Sequence, residues 1–226
     1  MDNFDIYKLK EAGLTNQQVI NVLSYAEIQE KELSVKDMAV VSEYRNPALF
    51  IEKYLQLDDD LLRQEFEKFS SFSILDDVYP WDLSEIYNPP VLLFYKGNLD
   101  LLKLPKVAVV GSRNSSRVGS QSVQKIIKEL SNELVIVSGL ARGIDTSAHM
   151  AALQNGGRTI AVIGTGLDVF YPRANKKLQS YLGEHHLVLS EYGSEAEPLK
   201  FHFPERNRII AGLCRGVIVA EAKMRS

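Results

Sequence analysis

Between residues 134 and 149 an apolar run passes through a glycine-rich turn into a helix-forming stretch. That succession restricts this part of the chain to a β-strand that delivers a helix. Leu134-Val135-Ile136-Val137 has the uninterrupted, branched character of a strand buried on both faces. Ser138-Gly139-Leu140-Ala141-Arg142-Gly143 follows, and its two glycines let the backbone turn tightly. Asp145 and Thr146 are expected to supply the N-cap chemistry of the next helix. A turn of this kind aims free backbone N–H groups at one point, which favours an anion, and Arg142 adds a full positive charge. A well-built turn with no ligand accounts for one such segment equally well.

The pattern recurs. Residues 107–110 form another apolar run ending in Gly111-Ser112-Arg113, and residues 159–163 end in Gly164-Thr165-Gly166, followed by Phe170-Tyr171-Pro172-Arg173. Strands are expected at 107–111, 134–138, 159–163, 187–190 and 216–220, with helices near 117–131, 145–155, 174–182 and 206–214. A βα rhythm of this kind implies a parallel sheet with helices on both faces and functional turns at the C-terminal ends of its strands. Arg113, Arg142 and the Gly164–Gly166 turn all fall at such ends, which brings them to one rim.

Residues 1–70 read differently, as a small all-helical domain of short helices. Thr15 with Gln18 and Ser34 with Asp37 have capping-box spacing, and Asn46-Pro47 places proline at a first helical position. Leu14, Val19, Ile20, Val22 and Leu23 would fill one helix, and Leu49, Phe50, Tyr54, Leu55 and Leu57 another. A second domain spans 71–226, its first part, 71–104, an extended lead-in bearing Tyr79-Pro80-Trp81, Asn88-Pro89-Pro90 and one strand at 91–95. That lead-in is dense in aromatic residues: Phe72, Tyr79, Trp81, Tyr87, Phe94 and Tyr95. They fit either a lining that seals the joint between the domains or a platform on which bases stack.

Charge separates the two parts. Residues 1–70 carry 14 acidic and 8 basic side chains, whereas residues 107–226 carry 10 acidic and 15 basic. The net of −3 therefore hides a basic C-terminal segment whose arginines gather at the turns, and local charge governs the docking of a polyanion. The single cysteine, Cys214, precludes an intramolecular disulfide and reads as a core thiol. No apolar run approaches the roughly 18 residues of a membrane span, and the first residues lack the features of a signal peptide, so a cytoplasmic protein is expected.

Familiar catalytic signatures fail. Gly164 and Gly166 begin a dinucleotide fingerprint, but Val169 stands where its third glycine belongs. There is no phosphate-binding loop ending in Gly-Lys-Ser or Gly-Lys-Thr and no Gly-x-Ser-x-Gly elbow. Asp145 and His149, four residues apart, suit either an orienting pair or a hydrogen bond that fixes the turn. His185-His186 and His202 have no metal-ligand spacing around them. No cofactor, metal or catalytic residue is therefore expected. What remains is a set of anion-binding elements along one rim, which suits a polymer better than a mononucleotide.

The ordered set of these segments, completed by Phe203-Pro204-Glu205-Arg206-Asn207-Arg208 before the apolar run 217–220, resembles the DNA-processing protein A family (DprA, or Smf) of streptococcal type, from about Tyr79 onward. The resemblance implies a Rossmann-like fold preceded by a SAM-like helical domain. It implies single-stranded DNA as ligand, dimerisation, and loading of RecA onto incoming DNA during natural transformation, without catalysis. Carried over residue by residue, it implies DNA or phosphate contacts at Gly111, Ser112 and Arg113, at Ser138, Gly139 and Arg142, at Arg173, and at Lys200. Arg206 and Arg208 are either further DNA ligands or anchors paired with Glu191 or Glu221. The family pattern continues past Glu221-Ala222 into a helix and a further strand that hold most of the dimer and RecA surfaces. This chain ends at Lys223-Met224-Arg225-Ser226, so the expectation is a C-terminally truncated member with an open sheet edge and impaired self-association and RecA loading. The rivals are a nucleotide-binding enzyme of the phosphoribohydrolase type, whose Pro-Gly-Gly-x-Gly-Thr signature is missing, and a nucleotide-sensing Rossmann module.

Overall fold

The computed structural model describes residues 1–222; residues 223–226, where the sheet was expected to stop short of its covering helix, lie outside the described residues. Five helices come first: α1 (Asn3–Glu11), α2 (Asn16–Gln29), α3 (Val35–Val41), α4 (Pro47–Gln56) and α5 (Asp59–Phe66). Their starts are encoded locally. Thr15 with Gln18 and Ser34 with Asp37 form reciprocal capping boxes, Asp2 with Asp5 forms a third, and Asn46 caps the helix that Pro47 opens. Each such cap stabilises its helix by about 1 kcal/mol, which matters for helices this short.

The rest of the chain forms β1 (Ser70–Ser73), α6 (Trp81–Ser84), β2 (Leu92–Gly97), β3 (Lys106–Gly111), α7 (Arg117–Leu130), β4 (Val135–Ser138), α8 (Ile144–Gln154), β5 (Thr159–Ile163), α9 (Lys176–His185), β6 (Leu187–Ser190), α10 (His202–Gly212) and β7 (Val217–Glu221), with 3₁₀ turns at Leu99–Lys103 and Arg173–Asn175. The seven strands make one sheet in the order β1-β2-β6-β5-β4-β3-β7. All five expected strands from β3 to β7 pair in parallel. The lead-in departs from expectation, because it contributes two strands that join antiparallel, β1 to β2 and β2 to β6, so the sheet is mixed. The Ser-Ser-Phe-Ser run of β1 has no apolar signature, and pairing with β2 alone makes it a strand. Helix α10 begins four residues before its expected start. Pro204 falls in its first turn, where a missing N–H leaves no helical carbonyl unpaired.

Alternation along the strands divides the core between two faces. Val107, Val109 and Ile136 pack under α7 and α8, while Leu92, Phe94, Ala161, Ile163 and Val188 share a core with α9 and the five N-terminal helices. Leu93, Ala108, Val137, Ile160, Val162, Leu187 and Leu189 face the other way, toward α6 and Ile209, Ile210 and Leu213 of α10 and its end. Phe94 is the seal at the joint: its ring lies 5.4 Å from Tyr7 of α1 and 5.8 Å from Phe66 of α5. Phe72 packs instead against Tyr79 and Tyr95 on the opposite face. Trp81 and Tyr87 pack into neither core and are exposed.

Candidate nucleic-acid interface

Two βα turns are knitted together at the C-terminal ends of β3 and β4. Gly111 passes so close to α8 that a Cβ there would lie 2.7 Å from Ile144, and the next residue's N–H donates to the Glu221 carbonyl at 2.7 Å. The Ser112 carbonyl in turn accepts from the Ile144 N–H at 3.1 Å. Gly143 takes φ +78° against Ser112 and Arg113, a left-handed position that side chains rarely adopt. Gly143 is also the N-cap of α8, and it makes no side-chain cap. The expected cap from Asp145 and Thr146 is thus corrected. Asp145 lies inside the helix and accepts from the Ala141 N–H at 3.3 Å, and Thr146 donates to the Ala141 carbonyl at 2.7 Å, so both residues brace the turn from behind.

Under the turns lies a buried cation. Arg206, 4% exposed, donates from Nη1 to the Gly139 carbonyl at 2.6 Å and also to the Val162 carbonyl, joining the ends of β4 and β5 to α10. Gly139 has no side chain because the guanidinium occupies that space. Burial lowers Arg206 to about 10, so it remains cationic at neutral pH. Burial also raises the Asp145 carboxyl, and the neighbouring Arg206 charge pulls it back toward ionisation. Arg206 is therefore held within the fold by carbonyl partners, while its remaining surface lines the clefts above it.

Above this floor the surface is cationic and aromatic. Arg113, Arg142 and Arg173 line a cavity of about 270 Å³ with Tyr171, Pro172 and Phe203. An adjoining cleft of about 250 Å³, floored by Asp145 and Arg206 and flanked by Asn207, shares Arg113 and Phe203 with it. The Arg113 guanidinium lies 5.3 Å from the Phe203 ring, and Tyr171 lies 5.4 Å from the same ring, so cation and aromatic rings form one wall. Tyr171 is exposed at its edge. Among the described residues none of these three arginines has an ion-pair partner.

The structure thus sorts the ten candidate positions. Gly111, Ser112, Arg113, Arg142 and Arg173 come together at the rim. Gly139 sits there as packing for Arg206. Ser138 is fully buried and donates to the Val109 carbonyl at 2.7 Å, so its hydroxyl ties β4 to β3 and is withheld from any ligand. Lys200 is exposed just before α10 but lines neither cleft. Arg208 leaves the rim altogether. Its Nη2 lies 2.7 Å from both oxygens of Glu191, which accepts from Asn16 of α2 at 2.8 Å, while Asn16 accepts from Lys10 of α1 at 2.7 Å. Arg208 is the Glu191-paired anchor of the two readings, and it fastens the helical module to the sheet.

Sequence reasoning missed Phe203, Tyr171 and Asn175. Buried Asn175 donates to the Leu140 carbonyl at 2.8 Å and to Thr146 at 2.9 Å, holding the 140–146 turn against the segment that carries Arg173. The only signal in the sequence was their closeness to Tyr-Pro and Phe-Pro. Asp145 and His149 do not pair. His149 Nδ1 lies 2.7 Å from Thr159 Oγ1, whose proton goes to the Ile136 carbonyl, so Nδ1 carries the hydrogen. Burial, then the Arg206 charge, holds His149 down at about 3. Between that value and the ordinary 6.5 the unfolded chain binds the extra proton, so stability should fall as pH drops through this window. His149→Gln should flatten that slope in urea unfolding at several pH values; Asp145 contributes equally in both proteins. Cys214 is half-buried, and burial pushes its thiol up to about 12, unsuited to nucleophilic attack. Among the described residues no His, Cys, Asp and Glu cluster could hold a metal ion, and no helix is long and apolar enough to cross a membrane.

Comparison with known proteins gives a consistent set of matches. Residues 70–226 match the family described as DNA recombination-mediator protein A, and residues 1–62 match the DNA processing protein A sterile alpha motif domain. DNA processing protein DprA of Streptococcus pneumoniae is 73% identical over 224 residues, 99% of this chain and 79% of that protein. The Bacillus subtilis protein of the same name is 43% identical over 175 residues, 76% of this chain and 59% of its own length. The X-ray structure of the S. pneumoniae protein superposes with a TM-score of 0.98 at 72% identity, covering 100% of this chain and 80% of that one. A Helicobacter pylori DNA processing protein A, described for its single-stranded DNA binding mode, superposes with a TM-score of 0.62 at 34% identity over 70% of this chain and 72% of its own.

Proposed function

This chain belongs to the DNA recombination-mediator protein A family, and from that membership and the geometry of the rim we propose that it binds single-stranded DNA without reading its sequence and passes it on rather than cutting it. The observation that carries the reading is the wall shared by Arg113, Phe203 and Tyr171, with Arg142 and Arg173 beside it, all free of internal ion pairs among the described residues. Unpaired guanidinium groups neutralise phosphates, aromatic faces accept any base, and an opening at the surface lets a polymer pass through. The named function of the H. pylori relative, single-stranded DNA binding, supports the same choice.

Binding of oligo-dT should weaken steeply with salt. Each neutralised phosphate contributes a log–log slope of about −0.7, so three arginines predict roughly −2. Fluorescence anisotropy across a salt series measures it, and affinity flat in salt or confined to duplex DNA would sink the proposal. The same incubations, analysed for free base, test the absence of catalysis: base released from nucleoside monophosphates would favour the phosphoribohydrolase reading. RecA and a second copy of the chain complete the proposed partners, as the family resemblance implies. A RecA strand-exchange assay and light scattering test them.

A further inference from the structure

The aromatic lead-in is only partly consumed by the fold. Phe94 seals the joint and Phe72, Tyr79 and Tyr95 pack together, but Trp81 is 72% exposed and Tyr87 94% exposed. Trp81 opens α6 and borders a cleft of about 300 Å³ lined also by Pro80, Lys103, Lys106, Leu213 and Arg215. Lys106 is the first residue of β3 and Arg215 precedes β7, so this cleft lies at the starts of the parallel strands, opposite the arginine rim.

Its charges are placed for exchange. Three cations line the cleft against one carboxylate, Asp82. Lys106 is fixed, donating to the Leu102 carbonyl at 2.6 Å and the Leu104 carbonyl at 2.9 Å. Lys103 is held only by a surface pair with Asp100, both side chains largely exposed, which is a weak restraint. Arg215 has no ion-pair partner among the described residues. A solvated indole flanked by two available cations is the arrangement that stacks a base and holds its phosphate.

We propose that the Trp81 cleft is an auxiliary contact for single-stranded DNA, taken up by the same strand that fills the arginine rim; it rests on the function proposed above. The two places are separated by the length of β3, five residue steps or about 17 Å. A strand already held at the rim presents its continuation at an effective concentration in the millimolar range, so a contact too weak to act alone is occupied.

Trp81 is the only tryptophan of the chain, so its emission reports on this cleft alone. Oligo-dT of about three nucleotides, too short to span about 17 Å, and of about twenty, long enough to fill both places, should both bind by anisotropy of a labelled end. Only the longer should quench Trp81. Trp81→Ala should weaken the longer oligonucleotide by roughly tenfold, the effect of one stacked base, and leave the shorter unchanged. Saturation by the longer oligonucleotide with unaltered Trp81 emission, or equal affinities of Trp81→Ala and the parent for it, would overturn the proposal and leave the indole to a protein partner. A chain that binds neither oligonucleotide would sink the rim reading itself, and the cleft with it.

Discussion

Arg206→Met should destabilise the protein by about 2–5 kcal/mol, since two buried carbonyls would each be left without a donor at about 1–3 kcal/mol apiece. At the size of this chain, that corresponds to a fall in melting temperature of roughly 10 °C. The loss is large because the effects coincide: the Gly139 and Val162 carbonyls lose their donor, and Asp145 loses a nearby positive charge that favours its ionised form. Methionine fills most of the volume but offers no donor. Arg206→Lys restores a charge, but its ammonium ends one bond short of the Nη1 that serves both carbonyls, so it should recover only part of the loss. DNA binding should fall in proportion to the folded fraction. A variant that melts like the parent while binding DNA poorly would return Arg206 to the role of a direct ligand.

Arg113→Ala should behave in the opposite way. Its side chain is exposed, and the wall behind it is held by backbone hydrogen bonds of Ser112 to Glu221 and Ile144. Stability should therefore stay within about 0.5 kcal/mol of the parent. The affinity for oligo-dT should drop by about 1.5–3 kcal/mol, the worth of a charge-assisted hydrogen bond, and the salt slope should shrink by about 0.7. Adding Arg173→Ala should deepen both effects, since Arg173 lines the same cavity. Arg63→Ala is the control. That arginine lies on α5 over the Phe4 ring, 3.9 Å from its centre, in the acidic helical module. Equal losses of DNA affinity from Arg63→Ala and Arg113→Ala would remove the case for a localised site.

The contrast between these arginines shows where sequence reasoning reaches its limit. Arg206 and Arg208 stand two residues apart in one motif, and nothing local distinguishes them. On a helix two residues are about 200° of rotation, so α10 turns Arg206 under the rim and Arg208 toward the helical module. Ser138 and Ser112 pose the same problem, since each is a serine at the end of a buried strand. The pleat and the neighbouring strand put one hydroxyl inside the sheet, while the other residue lies in the turn beyond it. Strand β1 was invisible because its four residues carry almost no apolar signal, and its partner residues lie 19 to 25 positions away.

By itself the sequence determined what depends on near neighbours in the chain. The apolar runs marked β3 to β7, the capping boxes marked α2 and α3, and the glycine turns marked the rim, because propensity, capping and backbone freedom act within a few residues. Charge counting also separated an acidic helical part from a basic one. Only the tertiary structure decided which arginines remain available to phosphate, which serine is spent on the sheet, that Phe203 and Tyr171 join Arg113 in one wall, and that the lead-in closes the sheet antiparallel. Those outcomes depend on the direction in which each side chain leaves its element and on what the opposing element places there. A buried guanidinium must find carbonyls and a counter-charge, whereas an exposed one is left free for a ligand.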